Sequence, residues 1–177
     1  YPKAAQYAAT APAAPAGAPL HDAAAAARHR QLVINARANG YSCAQMDLSN
    51  ANLAGLDLAG MDFSGAILAG ANLAGAQLQG ANLCDAFAPG AQFDAANLAG
   101  CRLSRASLSG ASFTAAVLLG AQFDGSDCTG ANFGNADLTG ANLSGASFRH
   151  AWCQGLHADR LLANGAQFDQ ANLDHAR

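Results

Sequence analysis

Three residues near the C-terminal end have the types and spacing of metal ligands. His150, Cys153 and His157 lie in the segment HAWCQGLH, and imidazole nitrogen and thiolate sulfur are donors that zinc prefers. They would form a site only if the backbone directs all three side chains to one point. No Ser/His/Asp set and no glycine-rich phosphate loop stands out elsewhere in the chain. The first question is therefore what kind of backbone carries these residues.

A strict period of five residues runs through most of the chain. Every fifth residue from Leu48 to Leu173 is a central position, usually Leu or Phe, which gives 26 units in one register. A small residue, nearly always Ala, stands two before each centre. Asn, Asp, Gln or Ser commonly stands one before it, and Gly often stands two after. A period of five fits neither a helix nor an alternating strand, so we expect a solenoid in which short units bury their apolar residues by stacking.

This register decides the metal question. Cys153 is a centre and points inward, whereas the positions of His150 and His157 point outward, so the three side chains do not converge. We therefore expect no metal, no cofactor, no catalytic residues and no enzyme activity. Four cysteines fall at inward positions and should act as small apolar residues, whereas Cys84 is expected to face outward. The five cysteines have irregular spacing and do not indicate a disulfide framework.

Composition agrees with an all-β solenoid. All twelve acidic residues are Asp, a poor helix former, and only 12% of the chain is charged. The formal net charge of −3 does not indicate direct binding to nucleic acid. No apolar run is long enough to span a membrane.

The chain divides into three zones. Residues 1–20 are rich in Ala and Pro and are expected to form a semi-extended tail or linker. Residues 21–40 are expected to form a capping helix, with Asp22 as N-cap and Gly40 as its stop. The expected apolar stripe of this helix contains Ala25, Ala26, Leu32, Val33 and Ala36, and its arginines, Arg28, Arg30 and Arg37, should be mostly solvent-facing. Residues 41–177 form the repeat domain.

The repeat units resemble those of the pentapeptide-repeat family, written A-(D/N)-L-x-x. Segments 71–75 (ANLAG), 136–140 (ADLTG) and 141–145 (ANLSG) match this pattern letter for letter. The resemblance implies a right-handed quadrilateral parallel β-helix with four units per coil, the central residue and the Ala two before it pointing inward. A step of twenty residues indeed aligns like with like, because Phe93, Phe113 and Phe133 then form one column.

Departures from the pattern mark the candidate sites. Units 156–160 and 161–165 place Leu two before the centre and Ala at the centre, which indicates either a packing swap or a local bulge. Outward apolar residues mark candidate partner-binding clusters: Ile67 with Phe87 on one face, Val117 with Leu119 on another, and Trp152 with Leu162 on neighbouring faces near the C-terminal end. Phe87 has a second interpretation, since it precedes the small centre Ala88 and would fill that gap by turning inward.

The resemblance and the clusters favour a non-enzymatic scaffold that binds a protein partner through the faces of a rigid rod. The helix would block one end of the rod, and the open C-terminal coil invites end-to-end homodimerisation. The alternative is a topoisomerase-interacting protein, because the family includes quinolone-resistance proteins that resemble duplex DNA and bind gyrase. That mimicry needs a concentrated acidic face, whereas the outward Asp residues here are spread over four faces.

Two features bear on the compartment. The chain begins with Tyr1 rather than Met, and segment 42–53 (SCAQMDLSNANL) resembles the start of the repeat domain in exported pentapeptide proteins, C-x-x-C-D-L-S-x-A-N-L. Met46 replaces the second Cys of that pattern, so a disulfide in this turn is lost. These features favour an exported, periplasmic form, with a cytoplasmic location as the alternative.

Overall fold

The computed structural model describes residues 23–177, which form one helix followed by a β-helix. Helix α1 spans Ala23–Asn39. From Asp47 to Asn172, single bridge residues pair in parallel with the residue twenty positions later, and the pairs recur every five residues. Four five-residue units therefore complete one coil. The fold is the expected right-handed quadrilateral parallel β-helix with an N-terminal helix. The tail of residues 1–20 and the N-cap Asp22 lie outside the described residues.

Backbone hydrogen bonds join each coil to the next. The N–H of Phe113 donates to the Asn132 carbonyl of the following coil over 2.6 Å, and the Asn132 N–H donates back to Ala111 over 2.9 Å. This exchange repeats on all four sides of the rod. Backbone polar groups of the inner coils are thus satisfied between coils, which lets them lie beside an apolar interior.

A type II turn forms each corner. At one corner the Ala71 N–H donates to the Leu68 carbonyl over 2.9 Å, and Gly70 between them has φ +65°. Every fifth residue from Gly40 to His175 has such a positive φ. A type II turn requires this conformation at its third residue and glycine adopts it without strain, which explains why Gly is common two after the centre.

Exchanging Gly and Ala at two corners should therefore move stability in opposite directions. Gly100 has φ +64° and open space where a β-carbon would lie, so Gly100→Ala should lower the free energy of unfolding by about 1 kcal/mol through backbone strain alone. Ala95 has the same backbone conformation, with φ 54°. Ala95→Gly should therefore raise the free energy of unfolding by about 0.5–1 kcal/mol. Urea denaturation measures both. Ala99→Gly, next to Gly100 but outside the positive-φ positions, is the control and should destabilise; a loss of stability in Ala95→Gly would contradict the prediction.

The polar residue before each centre also has a local role. The Asn72 side-chain oxygen accepts a hydrogen bond from the Ala74 N–H at 3.0 Å, and Asp127 does the same for Thr129 at 3.0 Å. These N–H groups take no part in the bonding between coils. Asn and Asp side chains bond readily to the backbone two residues on, so the repeat letters A-(D/N)-L correspond to an inward small residue, a backbone cap and an inward large residue.

The core is a stack of aligned side chains. Phe93, Phe113 and Phe133 stack with ring centroids 4.8 Å apart and nearly parallel planes, so the coils repeat at this distance. Phe123 meets Phe113 edge-on at 6.1 Å from the opposite side. The column predicted from the twenty-residue step is confirmed.

Residues 156–165 stay in the coil. His157 pairs with Asp137 and Leu162 pairs with Asn142, both in register. Leu156 is buried two before the centre, and Ala158 at the centre packs on the core. The structure therefore has the packing swap and not the bulge, because the displaced leucine supplies the volume that the small centre lacks.

Helix α1 closes the N-terminal end of the rod. It ends in a Schellman motif in which the Tyr41 N–H donates to the Ala36 carbonyl over 2.9 Å while Gly40 has φ +69°. Val33 and Ala36 are buried against the first coil. The predicted apolar stripe is wrong for Leu32, whose side chain is 50% exposed, because only one narrow side of the helix reaches the core. No helix in residues 23–177 has the length and hydropathy of a membrane span.

Two arginines of α1 bind the first coil of the rod. The prediction that they mainly face solvent is wrong for Arg30, which is half-buried, whereas Arg37 is exposed as predicted. Arg30 donates to the carbonyls of Asn52 and Ala54 at 2.9 and 3.1 Å, and Arg37 donates to the carbonyl of Ala59 at 2.7 Å. In later coils the equivalent carbonyls accept N–H groups from the preceding coil. The first coil has no preceding coil along these sides. The guanidinium groups therefore donate hydrogen bonds to its carbonyls in place of backbone N–H groups.

Candidate interaction site

The four sides of the rod are named by their outward bridge residues. Face 1 carries Asp47, Ile67, Phe87, Ser107, Asp127, Ser147 and Gln167. Face 2 carries Asn52, Asn72, Gln92, Ser112, Asn132, Trp152 and Asn172. Face 3 carries Asp57, Gln77, Asn97, Val117, Asp137 and His157. Face 4 carries Asp62, Asn82, Arg102, Gln122, Asn142 and Leu162. Because the chain visits them in this order, face 1 lies opposite face 3 and face 2 lies opposite face 4.

Face 1 holds a compact apolar patch. Ile67 and Phe87 pair directly across adjacent coils, and both are half-buried. Phe87 keeps the outward bridge position of its neighbours, although Ala88 beside it is small and fully buried. Ala69 and Pro89 stand two residues further along the same two coils. Sequence reasoning missed these two residues, although the same twenty-residue step that aligns Ile67 with Phe87 also aligns them.

Face 3 holds a second apolar pair. Val117 pairs with Asn97 on one side and Asp137 on the other, and it is half-buried. Leu119 follows at the corner and is 41% exposed. Polar residues border the pair within the ladder, so it forms an isolated apolar spot.

The expected placement of Trp152 and Leu162 is wrong. Trp152 pairs with Asn132 and Asn172 on face 2, whereas Leu162 pairs with Asn142 on face 4. Ten residues separate the two positions, which is half a coil, so they lie on opposite faces rather than neighbouring ones. They are 51% and 56% exposed. No single flat partner surface covers both side chains.

The motif HAWCQGLH does not form a cluster. Cys153 is fully buried, while His150 and His157 are exposed at a corner and on face 3. Within residues 23–177, no group of three His, Cys or Asp side chains is arranged to hold a metal ion.

All five cysteines are reduced and buried. Burial raises the pKa of Cys128 to about 12 and that of Cys153 to about 11, so both stay protonated at neutral pH. The expectation that Cys84 faces outward is wrong, because the residue is only 9% exposed. Its small side chain lies between Ser64 and Ser104, which occupy the equivalent positions of the two adjacent coils. None of these residues has the exposed, electropositive surroundings of a reactive thiol.

The acidic side chains are dispersed and partly paired. From Tyr41 onward the chain has eleven Asp and five Arg, a net charge of −6. Arg105 bonds Asp85 through two nitrogens at 2.9 and 2.8 Å, and Arg149 bonds Asp169 at 3.1 Å. Hydrogen bonds from Ser64 lower the pKa of Asp62, which keeps that carboxylate ionised. No face of the described residues carries an unbroken acidic row.

Known proteins resemble this chain in sequence pattern and in fold. The family profile for pentapeptide repeats matches residues 47–84, 91–127 and 126–156, in eight copies. HetL, a pentapeptide repeat protein involved in heterocyst differentiation regulation from the cyanobacterium Nostoc sp. strain PCC 7120, has 21% identity and a TM-score of 0.52 over 82% of this chain and 92% of its own. A trypsin-treated form of QnrB1, a plasmid-mediated fluoroquinolone resistance protein, has 19% identity and a TM-score of 0.51 over 75% and 74%.

These identities establish likeness of fold alone for the two solved structures. No curated protein shows significant similarity to the chain. The family profile, in contrast, covers more than half of the residues, and its repeats fall in the register that the bridges define. The chain therefore belongs to the pentapeptide-repeat family.

Proposed function

We propose that this protein is a non-enzymatic binding scaffold that presents the faces of a rigid rod to a protein partner. The observation that carries the proposal is the apolar patch on face 1, where Ile67 and Phe87 replace the polar residues that the other units of this face have at the same position. The core does not need them there, since the centres Leu68 and Ala88 are already fully buried. An apolar patch bordered by polar residues is typical of a protein interaction site.

The rigid rod suits this role. The inner coils bond to both neighbours through the backbone, so the faces are held in a fixed geometry before any partner binds. A preorganised surface loses little conformational entropy on association. We propose the same three zones as the working units: a tail of residues 1–20, a capping helix of residues 21–40 and a rod of residues 41–177.

Pull-down from native lysate with matched variants tests the proposal. Ile67→Asn and Phe87→Gln place consensus-type polar residues at outward positions, so the rod should stay folded. We expect a partner captured by the unmodified chain to be lost, with at least about a tenfold drop in affinity for the double variant. Ser107→Gln, next on the same ladder, is the control and should retain the partner. Equal capture of the partner by all variants would mean that face 1 is not the binding surface.

The second candidate is a topoisomerase-interacting protein of the quinolone-resistance type. The net charge of −6 over the repeat domain and the likeness to QnrB1 favour it. The scattering of Asp over four faces and its pairing with Arg105 and Arg149 oppose it, because mimicry of DNA needs a continuous acidic surface. A gyrase supercoiling assay with added protein separates the two candidates; inhibition or drug protection would favour the second.

We also propose that the surface of the last described coil pairs with a second copy of the chain. Phe168 is only half-buried there and Leu173 is 46% exposed. The opposite end is covered by α1, so association through this surface would be end to end and closed rather than a growing filament. The molar mass of the preparation used for the pull-down tests this arrangement, and a monomeric mass would overturn it.

A further inference from the structure

Face 2 is the one side of the described rod whose outward bridge residues are all uncharged. Each of the other three faces has at least two charged residues at these positions. On face 2 the same positions hold only Asn, Gln and Ser, together with Trp152. A ligand of this face therefore meets neutral hydrogen-bonding groups and one aromatic ring rather than a charged surface.

The asparagine amides on either side of Trp152 have a fixed orientation. Asn132 Oδ1 accepts the N–H of Gly134 over 2.9 Å. Asn172 Oδ1 accepts the N–H of Asp174 over 2.9 Å. Because the oxygen of each amide is bound to the backbone, its NH2 group points away from the turn, and within residues 23–177 neither NH2 group has an acceptor. Each amide thus offers two donors to a ligand on face 2.

Gly134 gives the Asn132 amide its place beside the indole. It is the one glycine from Gly40 onward without a positive φ, so the backbone does not require glycine there. A β-carbon at this position would lie 3.1 Å from Asn132 Oδ1, which is tight, and 3.9 Å from Trp152 Cδ1, which is ordinary contact. The absent side chain therefore leaves room for the amide.

Trp152 offers an apolar surface in the middle of these donors. It pairs with Asn132 in the preceding coil and with Asn172 in the following one, and it is 51% exposed. The core does not need the indole, since Ala151 and Cys153 on either side of it are already buried.

Hydrogen-bond acceptors lie at the adjoining corner. Gln154 follows Trp152 by two residues, Asp174 has the equivalent position in the next coil, and both are exposed. An exposed ring with donors and acceptors beside it fits a pyranose sugar, because the C–H face of the sugar packs on an aromatic ring and its hydroxyl groups both donate and accept. The net charge of −6 over the repeat domain disfavours anionic glycans and nucleic acids.

The spacing of the coils favours an extended chain of such sugars. The stacked core rings repeat at 4.8 Å, so Asn132, Trp152 and Asn172 form a straight row about 10 Å long. A β-1,4-linked glycan is an extended chain whose sugar rings repeat at nearly the coil spacing, so three successive rings can lie along this row. An α-1,4-linked glucan coils and would leave the flat face.

We propose that face 2 binds a neutral β-1,4-linked glycan along the rod axis, with one pyranose ring stacked on Trp152 and the adjacent rings held by Asn132 and Asn172. This proposal goes beyond the protein-binding function and does not depend on it, because Ile67 and Phe87 lie on another face.

Fluorescence titration of the full chain tests the proposal, because Trp152 is the only tryptophan. The probes are cellohexaose and chitohexaose, which share the β-1,4 linkage and differ in the substituent next to it. We expect at least one of them to shift the emission to shorter wavelength in a saturable manner, since a stacked sugar removes water from the indole. Maltohexaose has the composition of cellohexaose but an α-1,4 linkage, and it should bind at least about tenfold more weakly.

Aspartate variants test the amide donors. The double variant Asn132→Asp and Asn172→Asp keeps the oxygens that accept the backbone N–H groups and removes both NH2 groups. We expect its affinity for the bound hexaose to fall by about tenfold or more. Asn142→Asp makes the same change on the opposite face 4, where Asn142 Oδ1 accepts the Ser144 N–H at 3.1 Å, and should leave the affinity unchanged. Far-UV circular dichroism confirms that the rod is intact in each variant.

Three outcomes would overturn the proposal. The first is the absence of a saturable shift with either β-linked hexaose. The second is equal affinity for maltohexaose, or equal affinity of the double variant and the unmodified chain, which would mean that neither the extended shape nor the donors are recognised. The third is tighter binding of a decaproline peptide, which would assign Trp152 to a polypeptide. None of these measurements involves Phe87 or capture of a partner protein, so failure here is distinct from failure of the proposed function.

Discussion

Replacing Phe113 with alanine is expected to lower the free energy of unfolding by about 3–5 kcal/mol. Phe113 is fully buried and stacks on Phe93 and Phe133, each at 4.8 Å, and meets Phe123 edge-on. The variant loses burial of one large ring and breaks a column from the middle. Stacked coils on both sides prevent the walls from closing, so a cavity remains and adds to the cost. Guanidinium denaturation followed by circular dichroism measures the change.

Phe113→Leu is the matched control for this variant. Leu occupies the same column at Leu73 and Leu53, two and three coils earlier, so the site accepts that shape with a loss of about 1.5 kcal/mol or less. The difference between the two variants isolates the cavity from the loss of aromatic stacking. If the alanine and leucine variants unfold within about 1 kcal/mol of each other, the column is not the main source of stability.

The repeat register was predictable because every unit has the same pattern of residue sizes and the same turn conformation. One large residue, one small residue and a residue at positive φ recur every five positions, and 26 copies leave no alternative register. The stacking of Phe93 on Phe113 follows from counting twenty residues. The packing swap at Leu156 and Ala158 was one of two alternatives that the sequence left open, and it conserves volume because two sizes are exchanged within one unit.

Features that depend on surroundings rather than on register were not predictable. Cys84 and Ser104 occupy equivalent positions in adjacent coils, yet the extent to which a small side chain is buried there depends on its neighbours. Arg30 and Arg37 look like ordinary surface arginines in a helix. Their role follows only from the carbonyl groups of the first coil, and the sequence of the helix does not show where those groups lie. The relation of Trp152 to Leu162, in contrast, was predictable, because ten residues are half of the twenty-residue step and therefore lead to the opposite face.

The candidate binding residues show the same division. Ile67 and Phe87 were found as outward apolar residues, and their direct pairing was predictable from the twenty-residue step. Gly134 was not singled out, because glycine is common in this chain and most copies serve the corners. The structure sets it apart because its φ is not positive and because Asn132 Oδ1 lies 3.1 Å from the point where a β-carbon would be.

The double variant Arg30→Ala and Arg37→Ala is expected to lower the free energy of unfolding by about 2–3 kcal/mol. Three carbonyls of the first coil, those of Asn52, Ala54 and Ala59, would lose charged donors at 2.7–3.1 Å. Hydrogen bonds to charged groups contribute more than neutral ones, and water replaces them only where the end is open. Arg37 also pairs with Asp57 at 2.9 Å, but that pair is exposed and adds little. Urea denaturation measures the loss of stability.

A second readout distinguishes capping from simple stabilisation. If the guanidinium groups cap the first coil, their removal loosens α1 and exposes a parallel edge with free carbonyls, which favours association between chains. We therefore expect hydrogen exchange at Leu53 and Leu58 to accelerate before exchange in the middle of the rod, and light scattering to rise with protein concentration. Arg160→Ala is the control, because Arg160 is exposed and has no hydrogen bond or ion pair within the described residues; its stability should stay within about 0.5 kcal/mol of the original. Uniform acceleration of exchange along the rod, with no association, would show that α1 stabilises the fold without protecting its end. Arg30→Lys keeps the charge but not the two-carbonyl geometry, so an intermediate loss would assign the effect to the shape of the guanidinium group.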